Sequence, residues 1–301
     1  MAAYPGLKFA GSASQRLIMK RTLALLFLAV LCNVSFAQRF HVGVFGGLAA
    51  YNGDLTEKIF PKKTTNGAIG ITGTYELTDK FMIRGGFTFA RVGGADRFSE
   101  DSSRIGRNLS FETAITEVSL LGQYYLLNLY DNKFTPYIFG GLAVFHFNPY
   151  AFQGSTEKIY LRPLSTEGQG IPGYGKEYKL TQLAIPLGGG VKYAITNNIH
   201  LGLEAGLRVL FTDYLDDVST NYADPNDLLT YRGQRAADIA YRADELPGGN
   251  PVSPGKGASR GSAKYKDFYY FTGLHLTYRI GNNGWSGSGN KNSARCPVNI
   301  Y

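Results

Sequence analysis

Four histidines, His41, His146, His200 and His275, and an acidic run reading T-D-Y-L-D-D-V-S-T-N-Y-A-D-P-N-D from Thr212 are the residues of this chain best equipped for chemistry. An imidazole that titrates near neutrality serves as a general base or a metal ligand. None of the four has an adjacent serine or a second histidine at metal-binding spacing. A lone histidine reads more simply as a paired interior residue, and the expectation is a protein that is not an enzyme and carries no cofactor. In the acidic run, Asp213, Asp216, Asp217, Asp224, Asn226 and Asp227 offer the hard oxygen ligands that calcium takes. Their spacing does not match an EF-hand loop, so calcium is the weaker reading. A second reading has short Asx and Ser side chains capping turns in a long loop. A third has Asp213, Asp216 and Asp217, with Asp54 of an earlier Y-N-G-D-L stretch, docking a partner.

The elements that must carry these residues are short and alternating. Eight segments of roughly ten residues show the period of two that gives a strand two different faces. The first runs from Arg39 to Tyr51, with Phe40, Val42, Val44 and Leu48 on one face and His41, Gly43, Phe45 and Gly47 on the other. The second is Ala68 to Leu77, and the third begins at Phe81 after a tight T-D-K turn. Thr113 to Leu126, Tyr137 to Phe147, Thr181 to Ala194, Ile199 to Phe211 and Phe268 to Ile280 complete the set. The fifth is apolar on both faces, which leaves its register open. In the sixth, Pro186 cannot donate to a ladder, and Gly188 to Gly190 point to a bulge or bend.

Three connections are short and four are long: 52 to 67, 93 to 112, 148 to 180 and 212 to 267. Short turns alternating strictly with long loops, apolar faces that end in aromatics, and opposite faces that hold charge describe an all-β, eight-stranded antiparallel transmembrane barrel. A soluble barrel or sandwich also alternates, but its core would not accept the charges. Arg84, Lys192, Arg208 and Arg279 share the inferred lumen with Glu76, Glu117 and Glu204, so opposite charges can pair inside. Eight strands leave an interior just wide enough for side chains to fill, so the expectation is a plugged lumen. Gly248 to Ser262 offers no packing residue beyond Val252 and is expected to be mobile.

The N-terminus reads as an address. From Met19, which looks like the true start, Lys20 and Arg21 precede an apolar stretch from Leu23 to Leu31 and a small-residue exit at Ser35 and Ala37. That is a secretory signal covering residues 1–37, with cleavage between Ala37 and Gln38. The apolar run is too short to cross ~30 Å of hydrocarbon as a helix. Bulky Leu31 before Cys32 weakens a lipoprotein reading. The barrel then occupies 38–280 and a polar tail 281–301, where Cys296 remains as the sole cysteine after processing. The formal charge of +8 includes Lys8, Arg16, Lys20 and Arg21, and without those four the count is 27 basic against 23 acidic residues. An excess of +4 dispersed along the chain is no nucleic-acid footprint, and lipid of the outer membrane is the expected partner.

Y-N-G-D-L at Tyr51, T-D-Y-L-D-D-V-S-T at Thr212 and G-G-G-V-K-Y at Gly188 make the chain from Arg39 to Ile280 resemble the PorG-type outer-membrane barrels of Bacteroidetes. The resemblance implies membership of a barrel family and a role as an accessory or anchor of the type IX secretion or gliding apparatus, in contact with a periplasmic ring of lipoprotein and partner subunits. It implies no catalytic residue. The extended fourth loop and the tail after Ile280 depart from a compact member. Two other classes of function stand beside this one: a barrel that binds a small ligand or adhesion partner through its loops, and a lipid-modifying enzyme. The signal reading makes a direct prediction: mass analysis of protein from the outer-membrane fraction gives Gln38 as the first residue, and a mature chain retaining Leu23 to Leu31 would contradict export by this route.

Overall fold

A computed structural model describes residues 39–56, 61–154, 156–264 and 266–280. The signal segment, Cys32, Cys296 and the polar tail lie outside the described residues. Ten strands form in chain order: β1 Phe40–Asn52, β2 Thr65–Glu76, β3 Phe81–Ala95, β4 Ser110–Tyr125, β5 Phe134–His146, β6 Tyr150–Gln153, β7 Glu157–Tyr160, β8 Thr181–Ala194, β9 Ile199–Leu210 and β10 Phe268–Ile280. Eight of them close on themselves in the cyclic order β1, β2, β3, β4, β5, β8, β9, β10, and every pairing with a described register is antiparallel. The chain is a closed eight-stranded antiparallel barrel of the outer-membrane type.

The alternation read from sequence sorts the side chains as expected. Ile69, Val118, Leu142, Leu183, Leu203 and Leu274 face out, and Ile69 and Leu142 stay 66% and 65% exposed. Such a continuous band is untenable in water and belongs in hydrocarbon. At the end that carries the short turns, Phe40, Phe81, Tyr124, Phe134, Tyr193 and Tyr278 form an outward aromatic girdle, with the Phe134 and Tyr193 rings 4.8 Å apart. The fifth strand's open register resolves with Ile138, Leu142 and Val144 outward and Tyr137, Phe139 and Phe145 inward.

Four details correct the sequence reading. The β5–β8 ladder keeps one register on both sides of Pro186, from Gly140 opposite Leu187 to Ala143 opposite Ala184, so the proline interrupts the pairing without a bulge. The glycines beside it make room: a Cβ on Gly188 would lie 2.5 Å from the Phe139 ring, and one on Gly190 would lie 3.0 Å from the Tyr137 hydroxyl. The second loop is shorter than expected, because β3 and β4 go on pairing up to Ala95 opposite Ser110. The third loop contains the β6–β7 hairpin, which extends β4 through Glu112 opposite Tyr150.

Among the described residues, the long loops also carry three short helices: α1 Ser102–Arg107 in the second, and α2 Pro225–Arg232 and α3 Gln234–Ala240 in the fourth. The interior is packed at both ends. Toward the turns lie Met82, Leu121, Tyr125, Leu129, Tyr137 and Phe139; toward the loops lies a larger aromatic cluster that includes Tyr51, Phe111, Phe145, Phe147, Tyr178 and Tyr269. No helix among the described residues is long and apolar enough to cross a membrane, and the strands do the crossing. A closed barrel has no unpaired edge from which to unravel in detergent. Unboiled protein should therefore migrate differently from boiled protein on a gel and give a β-type circular dichroism spectrum; identical mobility with a helical spectrum would refute the architecture.

Candidate functional site: the charged lumen and its loop cap

Each lumen residue owes its place to strand parity. Arg84 on β3 and Glu204 on β9 reach across the interior and meet as a fork, Nη1 to Oε2 at 2.5 Å and Nη2 to Oε1 at 3.0 Å. The Tyr137 hydroxyl donates to the same carboxylate at 2.8 Å, and His275 lies 3.3 Å from Arg84 and 2.8 Å from Thr72. One layer nearer the loops, Arg208 donates to both oxygens of Glu117 at 3.1 and 3.3 Å. Tyr269 donates to Glu117 at 2.7 Å, and the Phe271 ring lies 4.1 Å from the Arg208 guanidinium. Nearest the turns, Glu76 accepts from Tyr130, bonds His41, and sits 3.5 Å from Arg279. The structure thus brings together Arg84, Glu204, Glu117, Arg208 and Arg279 in opposite-sign pairs and leaves Lys192 out of them. Forked, doubly bonded pairs are the geometry in which buried charge is tolerated.

The histidines divide. His41, His200 and His275 face the lumen and are buried, with the His41 and His200 rings 6.0 Å apart. His146 faces outward at the loop end of β5, against the Thr181 hydroxyl at 3.0 Å. Its outward position corrects the interior reading for that one residue.

The acidic candidates form a cap over the loop end. Asp216, buried, accepts the hydroxyl of Tyr51 and the Val218 N–H at 2.8 Å. Asp267 accepts the Leu215 N–H at 2.9 Å and has its other oxygen 3.2 Å from the same Tyr51 hydroxyl. Asp217, in the left-handed backbone region at φ 67°, accepts Thr166 at 2.5 Å and Tyr178 at 2.7 Å. Asp213 accepts the Ser219 hydroxyl at 2.8 Å, and Asp54 the Ser262 N–H at 2.9 Å. Arg107 forks onto Asp96 at 2.7 Å and also donates to the carbonyls of Arg260 and Asp54. Arg260 in turn reaches Glu167 at 3.2 Å and the Asp217 carbonyl at 2.6 Å. All four long loops are tied in this one network.

These contacts correct the docking reading. Asp213, Asp216 and Asp217 are buried and bonded inside the cap, so they present no face to a partner, and Asp54 is half-buried with its carboxylate held by the fourth loop. The capping reading describes what they do: Asp224 caps α2 through the Asn226 N–H at 2.9 Å, and Asp227 accepts the Tyr174 hydroxyl at 2.7 Å. Hydroxyl and amide donors occupy both oxygens of Asp216 and Asp217, while Asp213 keeps Oδ1 without a partner, and among the described residues no group of three or more acidic, His or Cys side chains is arranged to hold a metal ion. The stretch from Gly248 to Ser262 is corrected as well: Arg260, read as a loop residue, is its buried anchor, while Val252 is exposed. Glu167, Asp96, Asp267 and Arg107 escaped the sequence reading. Their partners lie from 11 to 216 residues away, and only Tyr51, in Y-N-G-D-L, stood in a motif already singled out.

A family model described as a domain of unknown function, DUF6089, matches residues 20–239. Among curated proteins, none is similar enough in sequence to count as a relative. Neisserial surface protein A is similar in structure at 10% identity, with 80% of this chain and 96% of that one covered and a TM-score of 0.40. A major outer membrane protein of Thermus thermophilus gives 11%, 79%, 98% and 0.38, and the outer membrane protein OprG of Pseudomonas aeruginosa 10%, 80%, 97% and 0.36. These likenesses concern the fold alone.

The cap has a pH dependence of definite sign. Burial pushes Asp213 up to about 6 against the Ser219 bond, and pushes Asp217 up to about 6 against the Arg260 charge. Burial also raises Asp54, Asp216 and Asp267, the last with help from the neighbouring Asp216 and Asp213 charges. The folded cap therefore holds protons that the unfolded chain has released, and this contribution to its stability is full below the unfolded aspartate value and lost as pH rises through the folded values. Amide exchange over 212–222, corrected for its intrinsic rate, should show stronger protection at pH about 5 than at about 8, and Asp213→Asn should flatten part of that dependence. Protection that grows with pH would contradict this account of the cap.

Proposed function

We propose, from the premise that the chain belongs to the DUF6089 family, that it is a non-enzymatic barrel of the bacterial outer membrane serving as an accessory or anchor of a type IX secretion apparatus. The observation that carries the anchoring part is the filled interior. Paired charges span the lumen at Arg84–Glu204 and Arg208–Glu117, aromatic clusters close both ends, and the outer surface is a continuous apolar band. Such a body holds itself in lipid without conducting. The secretion part rests on the resemblance carried by the Tyr51, Gly188 and Thr212 motifs. Because the acidic candidates are consumed in the outer cap, periplasmic subunits would meet the barrel at its turn end. There the turns 77–80, 126–133 and 195–198 present Asp79, Lys80, Asp131 and Lys133 to solvent. The histidines are read as structural, since three lie inside the lumen and His146 is held by Thr181.

A second reading, a loop site for a small ligand or adhesion partner, is favoured by a cleft of about 770 Å³ between the second and fourth loops, lined by Arg104, Tyr222, Tyr241 and Asn250 among others. Affinity purification from native membranes separates the two. Under the first reading, periplasmic ring subunits co-purify and are lost when Lys80, Asp131 and Lys133 are replaced together by Ser, while planar-bilayer recordings show no steady conductance. Recovery of the barrel alone, in membranes that contain the assembled apparatus, would refute the secretion role.

A further inference from the structure

The inward-facing strand residues do not balance in charge. With the histidines counted neutral, the described strands turn four cations into the lumen, Arg84, Lys192, Arg208 and Arg279, against three carboxylates, Glu76, Glu117 and Glu204. Each carboxylate has an arginine: Glu204 has Arg84 at 2.5 Å, Glu117 has Arg208 at 3.1 Å and Glu76 has Arg279 at 3.5 Å. The surplus charge is Lys192. Its side chain is fully buried, and its ammonium has no hydrogen-bond partner. The aromatic faces of Tyr125 and Tyr137, 5.2 and 5.8 Å away, are its nearest compensation. The charges that bear on it are Arg84, Glu204 and Glu76, and both carboxylates are already forked or shared elsewhere. A cation–π contact offsets only part of what a buried unpaired ion costs.

Lys192 is not alone in lacking a partner. His41 Nδ1, Thr74 Oγ1, Gln123 Nε2, Thr135 Oγ1 and both ring nitrogens of His200 are buried without one. Strand register gathers them at the turn end. Thr135 stands directly opposite Lys192, Thr74 opposite His41, and His200 opposite Ala194, two residues beyond Lys192 on the same face. The Tyr125 hydroxyl donates to Gln123 Oε1 at 3.4 Å, which leaves the amide NH₂ as the free end of that side chain. Apart from the histidine rings, every orphan is a donor or can act as one, and no unshared carboxylate stands among them. Buried polar groups in native proteins are satisfied almost without exception, so a ligand that accepts hydrogen bonds and carries negative charge is missing from this inventory.

We propose that the turn end of the lumen holds a small inorganic monoanion of halide size, bound by the Lys192 ammonium, the Thr135 hydroxyl, the Gln123 amide and His200. One surplus positive charge calls for one negative charge. The surrounding Met82, Leu121, Tyr125, Tyr137 and Phe139 side chains favour a compact ion over a phosphate or an organic acid. The anion would complete the charge pairing of the barrel interior and fix Lys192 and His200 in place.

The test uses the full mature barrel in detergent, melted in chloride or bromide and, at the same ionic strength, in gluconate, an anion too large to enter. The expected result is a melting temperature that rises saturably with halide and not with gluconate, and an anomalous bromide peak beside Lys192 Nζ in bromide-grown crystals. Lys192→Met should abolish the halide dependence, while Lys176→Met, at an exposed position of the third loop, should leave it intact. If Lys192→Met does not fold, Thr135→Val with Gln123→Leu keeps the charge and should weaken the apparent halide affinity by about tenfold, ~1.4 kcal/mol. Equal melting temperatures in halide and gluconate, a water cluster without anomalous signal at Lys192, or halide dependence that survives loss of both Lys192 and its neighbouring donors would overturn the proposal.

Discussion

In hydrocarbon no backbone N–H or C=O can be left unpaired, and the rest of this structure follows from that constraint. It forces the eight strands to close, with β1 beside β10 and β3 beside β4 completing the ring. Closure fixes the number of strands that fit around side chains alone, and eight strands leave an interior that must be filled. Because side chains alternate along each strand, whatever the outer face gives to lipid, the inner face must match with something else. Here that something is charge in forked pairs, Arg84 with Glu204 and Arg208 with Glu117, bracketed by aromatic clusters.

The two ends answer the same constraint with different chemistry. At the loop end, acidic residues are buried against hydroxyl and amide donors, with Tyr51 between Asp216 and Asp267 and Tyr178 against Asp217. The third and fourth loops share a small apolar cluster of Ile171, Ala223, Leu228, Ala236 and Ala240, and all four long loops gain order from one polar network, with Arg107 and Arg260 crossing between them. At the turn end the interior is basic and donor-rich, and the turn 126–133 folds over part of it, with Leu129 in the apolar cluster and Tyr130 on Glu76 and near His200.

The barrel was legible because its signal is local. Two-residue alternation such as Ile199, Leu201 and Leu203 against His200, Gly202 and Glu204 depends on nothing beyond the strand itself, and turns such as T-N-N at Thr196 mark its ends. The lumen candidates were legible for the same reason, since parity alone puts Arg84 and Glu204 on inner faces. The cap was not. Asp213, Asp216 and Asp217 look like a surface motif because loops usually lie in water, and only the third dimension brings Glu167, Arg260 and Asp267 to them. The same limit hid the β6–β7 hairpin, whose four-residue strands are too short to show a period.

The cross-barrel pairs also solve a problem that alternation cannot. If β3 slipped by one residue against its neighbours, Arg84 would turn into lipid, at a penalty of about 2–4 kcal/mol near the midplane. A slip of two residues escapes that penalty, because every side chain keeps its face. It moves Arg84 by about 6.6 Å along the barrel, however, far outside the 2.5 and 3.0 Å fork it makes with Glu204. Both ions would then be buried without partners, which is costlier than either never having been charged. An apolar interior of equal volume would tolerate the two-residue slip much better. The even-numbered registers, which hydrophobic patterning leaves degenerate, are thus separated by ion pairs that join strands β3 with β9 and β4 with β9, across the barrel and far apart in sequence.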